Sequence, residues 1–428
     1  MSESVRRSPF AVGRGGSANG RQPTAIVFGI VVLFLGVRIP LLFVRQPFFD
    51  ELFTRWISER SFGGILQALH YDSGPPLYYF VVHLIGNPPV VVLRAMSLLF
   101  ATIALAALLA MRHFAAAALL AVFPPAVLFA VDARAYALCA MFVTIGILAL
   151  DVDRPYAAAI AFVAAAYSHY YGALFFPLLL LPLTPSLTPR AGRGWRAAPG
   201  EGRGFFLAIL LFAPGAWLAL HQPRGSMAWI GPLPQYPEAL FARPPIWLLI
   251  VAAGLLIAAG YRVNQYTAMA LVPLALALAL RIYFPLRFES IIAAPLVLWL
   301  AKSAHRKLIP LLIAVGLAIC SFGIIEHWQR PVDDYRDAAM HVRNLPGPVV
   351  ASGYLYLQTM AVRPAIAFPA EQALHPGWRA TATSGSELPP GTFIWIGERL
   401  APELSLIRRS RHVTPLYVNG RAAIVKVN

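Results

Sequence analysis

The sequence predicts a mainly α-helical, polytopic membrane protein of about eleven transmembrane helices, with a small C-terminal α/β domain on the extracytoplasmic side. Three observations predict it. Hydrophobic residues make up 58% of the chain, charged residues only 13%, and the mean hydropathy is +0.65, whereas an ordinary soluble domain carries roughly a quarter charged residues. Apolar runs of spanning or near-spanning length recur from Thr24 to Ile325. Past Ile325 the pattern changes to short apolar stretches separated by Gly and Pro turns.

Residues 1–23 carry Arg6, Arg7, Arg14 and Arg21 among many Gly and Ser, which predicts a disordered basic tail on the cytoplasmic side. Thr24 to Val44 is long enough to span and lacks a small-residue cleavage site, so it is read as an anchor, not a removed signal peptide. A long loop follows, residues 45–89. Within it, Leu77 to Ile85 is too short to cross and opens on Pro75-Pro76, which predicts a helix lying at the interface.

Further apolar runs cover Val90–Met111, Phe114–Val131, Ala135–Leu150, Pro155–Ser168, Gly172–Leu183, Phe205–Leu220, Ile246–Gly260, Tyr266–Phe284, Ser290–Ala301 and Leu308–Ile325. Basic residues cluster at Arg112-His113, at Arg154, at Arg190, Arg193, Arg196 and Arg203, at Arg262, and at Lys302, Arg306 and Lys307. The positive-inside rule puts these clusters in the cytoplasm, and alternation then works provided Leu77–Ile85 does not cross. Residues 24–325 therefore form one transmembrane module. Residues 326–428 form the outer domain, with an amphipathic helix opening at Asp333-Asp334-Tyr335-Arg336-Asp337 and strands around Val349–Ser352, Phe393–Ile396 and Ala423–Val427.

Composition also bears on partners. A formal charge of +16 would suit nucleic acid, but the arginines lie in the tail and in short loops between spans, so membrane lipids are the expected partner and nucleic acid is not. The two cysteines, Cys139 and Cys320, both lie inside apolar runs, which excludes a disulfide framework and a cysteine metal site.

The alternation gathers four polar features on one outer face. They are the first loop with Asp50-Glu51 and Asp72, the turn Asp132-Ala133-Arg134-Ala135-Tyr136, the turn Tyr167-Ser168-His169-Tyr170-Tyr171, and Leu286-Arg287-Phe288-Glu289. The Pro- and aromatic-rich loop His221–Pro245 joins them. Adjacent acids directly after a span sit where the dielectric changes, so their basicity can be tuned while they still meet a water-soluble substrate.

Six short motifs in order carry a family resemblance: F-D-E at Phe49–Glu51, D-x-x-P-P-L-Y-Y at Asp72–Tyr79, R-x-x-S at Arg94–Ser97, D-A-R-A-Y at Asp132–Tyr136, S-H-Y-Y-G at Ser168–Gly172, and L-R-F with a following Pro at Leu286–Pro295. The chain resembles the bacterial branch of the protein O-mannosyltransferase family (glycosyltransferase family 39 type). That branch is related to the aminoarabinose transferase of lipid A within the glycosyltransferase C superfamily. The resemblance runs from about Thr24 to Ile325, with a similar trailing domain. Gly74, Asp132 and Phe288 depart from the His, Glu and Tyr common in the family.

The resemblance implies an integral protein of the bacterial inner membrane. It would transfer one sugar from a polyprenyl-phosphate donor to a glycan, lipid or protein acceptor on the outer face, with inversion at the anomeric carbon. Displacement there calls for a carboxylate near the acceptor hydroxyl, as general base or to stabilise oxocarbenium-like charge, and Asp50 is the candidate. Its plainer reading is an ion pair with Arg45 or Arg55. Glu51 is the second candidate, acting directly, orienting Asp50, or capping the following helix.

Arg134 and Arg287 are candidates to hold the departing phosphate, or else anchor at the lipid headgroups. Asp72 and Asp132 could complete an acidic cluster; by resemblance it could hold a divalent cation, but no spacing specifies one and no cofactor is assigned. His169 could carry or donate a proton, and Tyr136 and Tyr170 could line the sugar site, all three also being ordinary residues of an aromatic belt. Two other classes stay open: a transporter or flippase of lipid-linked sugars, and a membrane scaffold for the outer domain.

Overall fold

The computed structural model describes residues 21–44, 47–180, 202–222, 264–305, 307–329, 336–351, 353–360, 362–363, 366–367, 390–397, 413–418 and 422–428. Several expectations lie outside them: most of the basic tail, Arg45, the cluster Arg190, Arg193 and Arg196, most of the loop His221–Pro245, the span Ile246–Gly260, Arg262, Arg306 and the acids Asp333 and Asp334.

Helices dominate the described residues. The first span is two helices, α1 (Arg21–Gly36) and α2 (Ile39–Val44), joined by a turn at Val37-Arg38. The first loop folds into α3 (Phe49–Ser58), α4 (Phe62–Leu69) and α5 (Leu77–Leu84). Ser61 starts α4 by accepting the Gly64 N–H at 3.2 Å. Eight residues make α5 about 12 Å long, well under the roughly 30 Å of hydrocarbon.

The bundle continues as α6 (Val90–Ala110), α7 (Phe114–Val122), α8 (Pro124–Phe129), α9 (Tyr136–Asp151), α10 (Pro155–Ser168), a 3-10 segment (Tyr170–Leu180) and α11 (Arg203–His221). It closes with α12 (Gln265–Ala279), α13 (Arg287–Ile291), α14 (Ala293–Ser303) and α15 (Leu308–Gln329). Among the described residues four helices are long and apolar enough to cross a membrane: Thr24–Val44, Val90–Ala110, Arg203–His221 and Leu308–Glu326. The shorter apolar helices are α9, α10, the 3-10 segment, α12 and α14. Phe28, Phe206, Leu210 and Leu220 are each at least 70% exposed, as side chains facing lipid must be.

The expected run Phe114–Val131 is not one helix. Pro124 and Pro125 lack the N–H groups that would continue α7, and the chain restarts as α8 with Pro124 at its first position. Gly172 lets the 3-10 segment press onto α10: a Cβ there would lie 2.3 Å from backbone atoms of Ala165 and Ala166.

The two ends of the bundle differ. At one end His113 Nε2 lies 3.3 Å from Asp151 Oδ2, the Tyr266 hydroxyl donates to Asp151 Oδ1 at 2.7 Å, and Gln265 donates to the same oxygen. This end holds the α6–α7 and α9–α10 connections and the start of α12, beside Arg112 and Arg154. The first loop, the Asp132–Ala135 turn and His169 occupy the other end.

The C-terminal part contains α16 (Arg336–Arg343) and α17 (Gly353–Met360) beside a five-stranded sheet of β1 (Val349–Ala351), β2 (Ile366–Ala367), β3 (Phe393–Gly397), β4 (Val413–Val418) and β5 (Ala422–Val427), in the order β2-β1-β3-β5-β4. β1 runs parallel to β2 and β3, while β5 is antiparallel to β3 and β4. Its core is continuous with that of the first loop: Ala338, Val349, Leu355 and Trp395 join one buried cluster with Leu52, Phe53, Ile57 and Tyr78. Gln358 on α17 donates to the Pro47 carbonyl just before α3 at 2.7 Å.

Candidate active site

The site grows from the start of α3. Phe48 is extended and α3 begins at Phe49, which puts Asp50 and Glu51 in the first turn, where the helix dipole favours negative charge. Successive residues on a helix point about a third of a turn apart, and the two acids go to different places.

Glu51 is fully buried. Its carboxylate takes a two-pronged bond from Arg94, Nε to Oε1 at 2.8 Å and Nη2 to Oε2 at 2.5 Å, and Oε1 also accepts the Ala133 N–H at 3.0 Å. Arg94 Nη1 donates onward to the Leu42 carbonyl at 3.2 Å. One buried ion pair thus ties α2, α3, α6 and the Asp132–Ala135 turn together. Ser97, one turn along α6 from Arg94, donates to the Asp132 carbonyl at 2.6 Å, fastening the same turn from its other side. Asp132 itself is 2% exposed.

Asp50 stays at the surface of this assembly, about a quarter exposed, with Oδ2 3.6 Å from Arg287 Nη2. Two side chains 237 positions apart in sequence therefore meet. Arg134 Nη1 donates to the Asp50 carbonyl at 3.2 Å and reaches the Tyr79 hydroxyl at 3.5 Å. Asp72 lies beside Tyr79: a Cβ added to Gly74 would meet the Tyr79 hydroxyl at 3.2 Å and Asp72 Oδ2 at 3.7 Å. Burial raises the pKa of Asp72, and the nearby Arg134 charge offsets only part of that rise.

Aromatic rings floor the site. The Arg287 guanidinium sits 5.7 Å from the Tyr136 ring centre and 4.6 Å from that of Phe284. Tyr136 packs on His169 at 5.3 Å, and His169 on Tyr171 at 4.6 Å. Burial, reinforced by Arg134 and Arg287, pushes the His169 pKa down to about 3, so the ring is neutral. His169 Nδ1 accepts the Tyr171 N–H at 3.3 Å, which leaves its proton on Nε2. Arg287 follows Leu286, a non-glycine residue held at φ 68°, ψ −41°, a strained backbone that surrounding structure must enforce. Phe288 supplies that hold, fully buried between the rings of Tyr171 and Tyr283.

The structure thus brings Asp50, Asp72, Arg134, Tyr136, His169 and Arg287 together. Tyr170 lies near Asp72, and its hydroxyl donates to Gln222 Oε1 at 2.9 Å, while Gln222 donates to the Leu69 and Gly74 carbonyls, tying α11 to the first loop. The sequence reading gave no role to Arg94, although the R-x-x-S spacing puts Arg94 and Ser97 on one face of α6. Among the described residues no three acidic, histidine or cysteine side chains are placed to hold a metal ion. A divalent cation does not fit beside Asp50, where two guanidinium groups already supply the positive charge.

Scans against protein-family profiles and against curated proteins give no match. Among solved structures, the chain is similar to ArnT from Cupriavidus metallidurans bound to undecaprenyl phosphate, at 13% identity and a TM-score of 0.54, over 94% of this chain and 97% of that one. The apo state of the same ArnT aligns at 14% identity with a TM-score of 0.45. The liganded structure shows that this chain has the ArnT fold along nearly its whole length, as expected from the resemblance.

Proposed function

We propose that the chain is an integral membrane glycosyltransferase that moves one sugar from a polyprenyl-phosphate donor to an acceptor hydroxyl at the extracytoplasmic face, with inversion. The observation that carries this reading is the Asp50–Arg287 pair, 3.6 Å apart and partly open at the end of an apolar bundle. A carboxylate and a guanidinium side by side are the two groups the displacement needs. The ArnT structure of the same fold holds undecaprenyl phosphate, which supports a lipid-borne donor.

In this mechanism the donor phosphate draws Arg287 and Arg134 onto its oxygens, which frees Asp50 from its ion pair. Asp50 takes the proton of the acceptor hydroxyl as that oxygen bonds to the anomeric carbon. The bond from that carbon to the phosphate oxygen breaks, and the polyprenyl phosphate leaves with both electrons. His169 Nε2–H is a neutral donor beside this charge. Tyr136 offers a ring face to the sugar, and Asp72, whose pKa burial raises, stands beside Tyr79 as a further hydrogen-bonding group. Glu51 touches no substrate; with Arg94 it fixes the helix and the turn.

The acceptor belongs to the glycan, lipid or protein class, and the sugar is a hexose or pentose. The described apolar helices and the expected span Ile246–Gly260 together suit about eleven crossings, with the tail cytoplasmic and the C-terminal sheet outside. A transporter would string its ionisable groups through the midplane. Here, among the described residues, they lie at the two ends of the bundle, and the intramembrane Arg38 is tied to main-chain carbonyls. The test is sugar transfer in membranes: Asp50→Asn should lower turnover by about a hundredfold or more, and Arg287→Ala should lower it strongly. Full activity in both variants would refute the assignment.

A further inference from the structure

Arg38 is fully buried in the turn between α1 and α2, and among the described residues no carboxylate pairs with it. A lone charge at this depth is expensive and is kept for a reason. Its guanidinium lies 3.7 Å from the Phe34 ring centre and donates to three carbonyls: Nη1 to Phe34 at 3.1 Å and to Ala121 at 2.7 Å, and Nη2 to Leu120 at 3.1 Å.

The last two partners identify the reason. In a continuous helix the carbonyls of residues 120 and 121 would accept the N–H groups of residues 124 and 125. Those residues are Pro124 and Pro125, which have none. Apart from a long Phe123 N–H approach to Leu120 at 3.4 Å, the break leaves these buried acceptors without a backbone donor. Arg38 supplies the two missing donors with one planar group. The break it seals sends α8 directly into the Asp132–Ala135 turn, which carries Arg134 and the Ala133 N–H held by Glu51. Arg38 and Tyr136 also line one cavity, whose walls include Ala130, Ala137 and Ser290.

We propose that Arg38 is a positioning residue: it caps the proline break between α7 and α8 and so holds the Arg134 turn in register with Asp50. The assignment rests on the transferase reading for its consequence, though not for its geometry.

The test uses the purified full-length protein in detergent, with undecaprenyl phosphate as the binding probe and amide hydrogen exchange as a readout independent of activity. Arg38→Met should speed exchange in residues 130–136 by about tenfold or more, leave β3 and β5 unchanged, and weaken undecaprenyl phosphate binding by at least about tenfold. Adding Pro124→Ala and Pro125→Ala to that variant restores the backbone donors. The thermal midpoint should recover while binding does not, because a straightened helix delivers the turn elsewhere.

If Arg38→Met does not accumulate, Pro124→Ala/Pro125→Ala with Arg38 intact decides the matter, since it should fold and yet bind undecaprenyl phosphate about tenfold more weakly. Native exchange and native binding in Arg38→Met, or native binding in the double proline variant, would overturn the proposal. Should the wild-type chain bind no undecaprenyl phosphate, the transferase reading fails, and exchange at residues 130–136 still decides whether Arg38 seals the break.

Discussion

At the residue scale, neighbouring acids have opposite fates. Asp50 keeps an open oxygen edge next to Arg287, whereas Glu51 is walled in by Arg94 and the Ala133 N–H. Glu51→Gln would strand the Arg94 charge in a buried site and should cost about 3–5 kcal/mol of stability, read as a drop in the thermal midpoint in detergent. An unchanged midpoint would mean that the pair is not structural. Asp72→Asn, by contrast, removes a charge that burial already disfavours while keeping a hydrogen-bonding group of the same shape, and should retain activity within about tenfold of wild type. His169 sets an acid limit. The unfolded chain binds its proton near 6.5, but the folded chain binds it only near 3 because of burial and then Arg134 and Arg287. The folded state therefore loses stability as pH falls through 6.5 toward 3. His169→Gln should flatten the fall in thermal midpoint between about pH 7 and pH 5, and an equally steep fall in that variant would assign the acid sensitivity to other groups.

At the element scale, packing between neighbours sets the geometry. Gly172→Ala drives a methyl into the α10 backbone at 2.3 Å, whereas at Gly29 it meets nothing within 4 Å. The first change should lower the thermal midpoint by several degrees through overpacking and the second should leave it unmoved, so equal effects would contradict the close crossing. Much of this level was legible in the chain. The F-D-E and D-A-R-A-Y motifs led to Asp50 and Arg134, and strands were expected where β1, β3 and β5 form. β2 and β4 were missed, being a two-residue strand and an edge strand with Pro415 in it. The α7–α8 break was missed as well, since hydropathy runs unbroken across Pro124-Pro125 and only the backbone registers the absent donors. The Glu51–Arg94 and Arg38–Leu120 contacts span 43 and 82 positions, and no local pattern encodes such a pairing.

At the scale of the whole molecule, the bundle has a polar end that carries Asp50 and Arg287 and an opposite end closed by His113, Asp151 and Tyr266. Under the proposed orientation, a membrane-impermeant thiol reagent should label Ser61→Cys from outside intact cells and leave Asp153→Cys untouched. The buried Cys139 and Cys320 give little background. The reverse pattern would invert every loop assignment. The C-terminal sheet is not an independent appendage, because α17 shares its core with α3 and Gln358 holds the chain just before Asp50. Leu286 carries one more consequence. A left-handed leucine is not a conformation that a nascent helix adopts by itself, so the placement of Arg287 depends on the packing of Phe288 between Tyr171 and Tyr283. Under the proposed function, a half-inserted chain that lacks Arg287 and Phe288 would therefore present no anion clamp to carrier lipid.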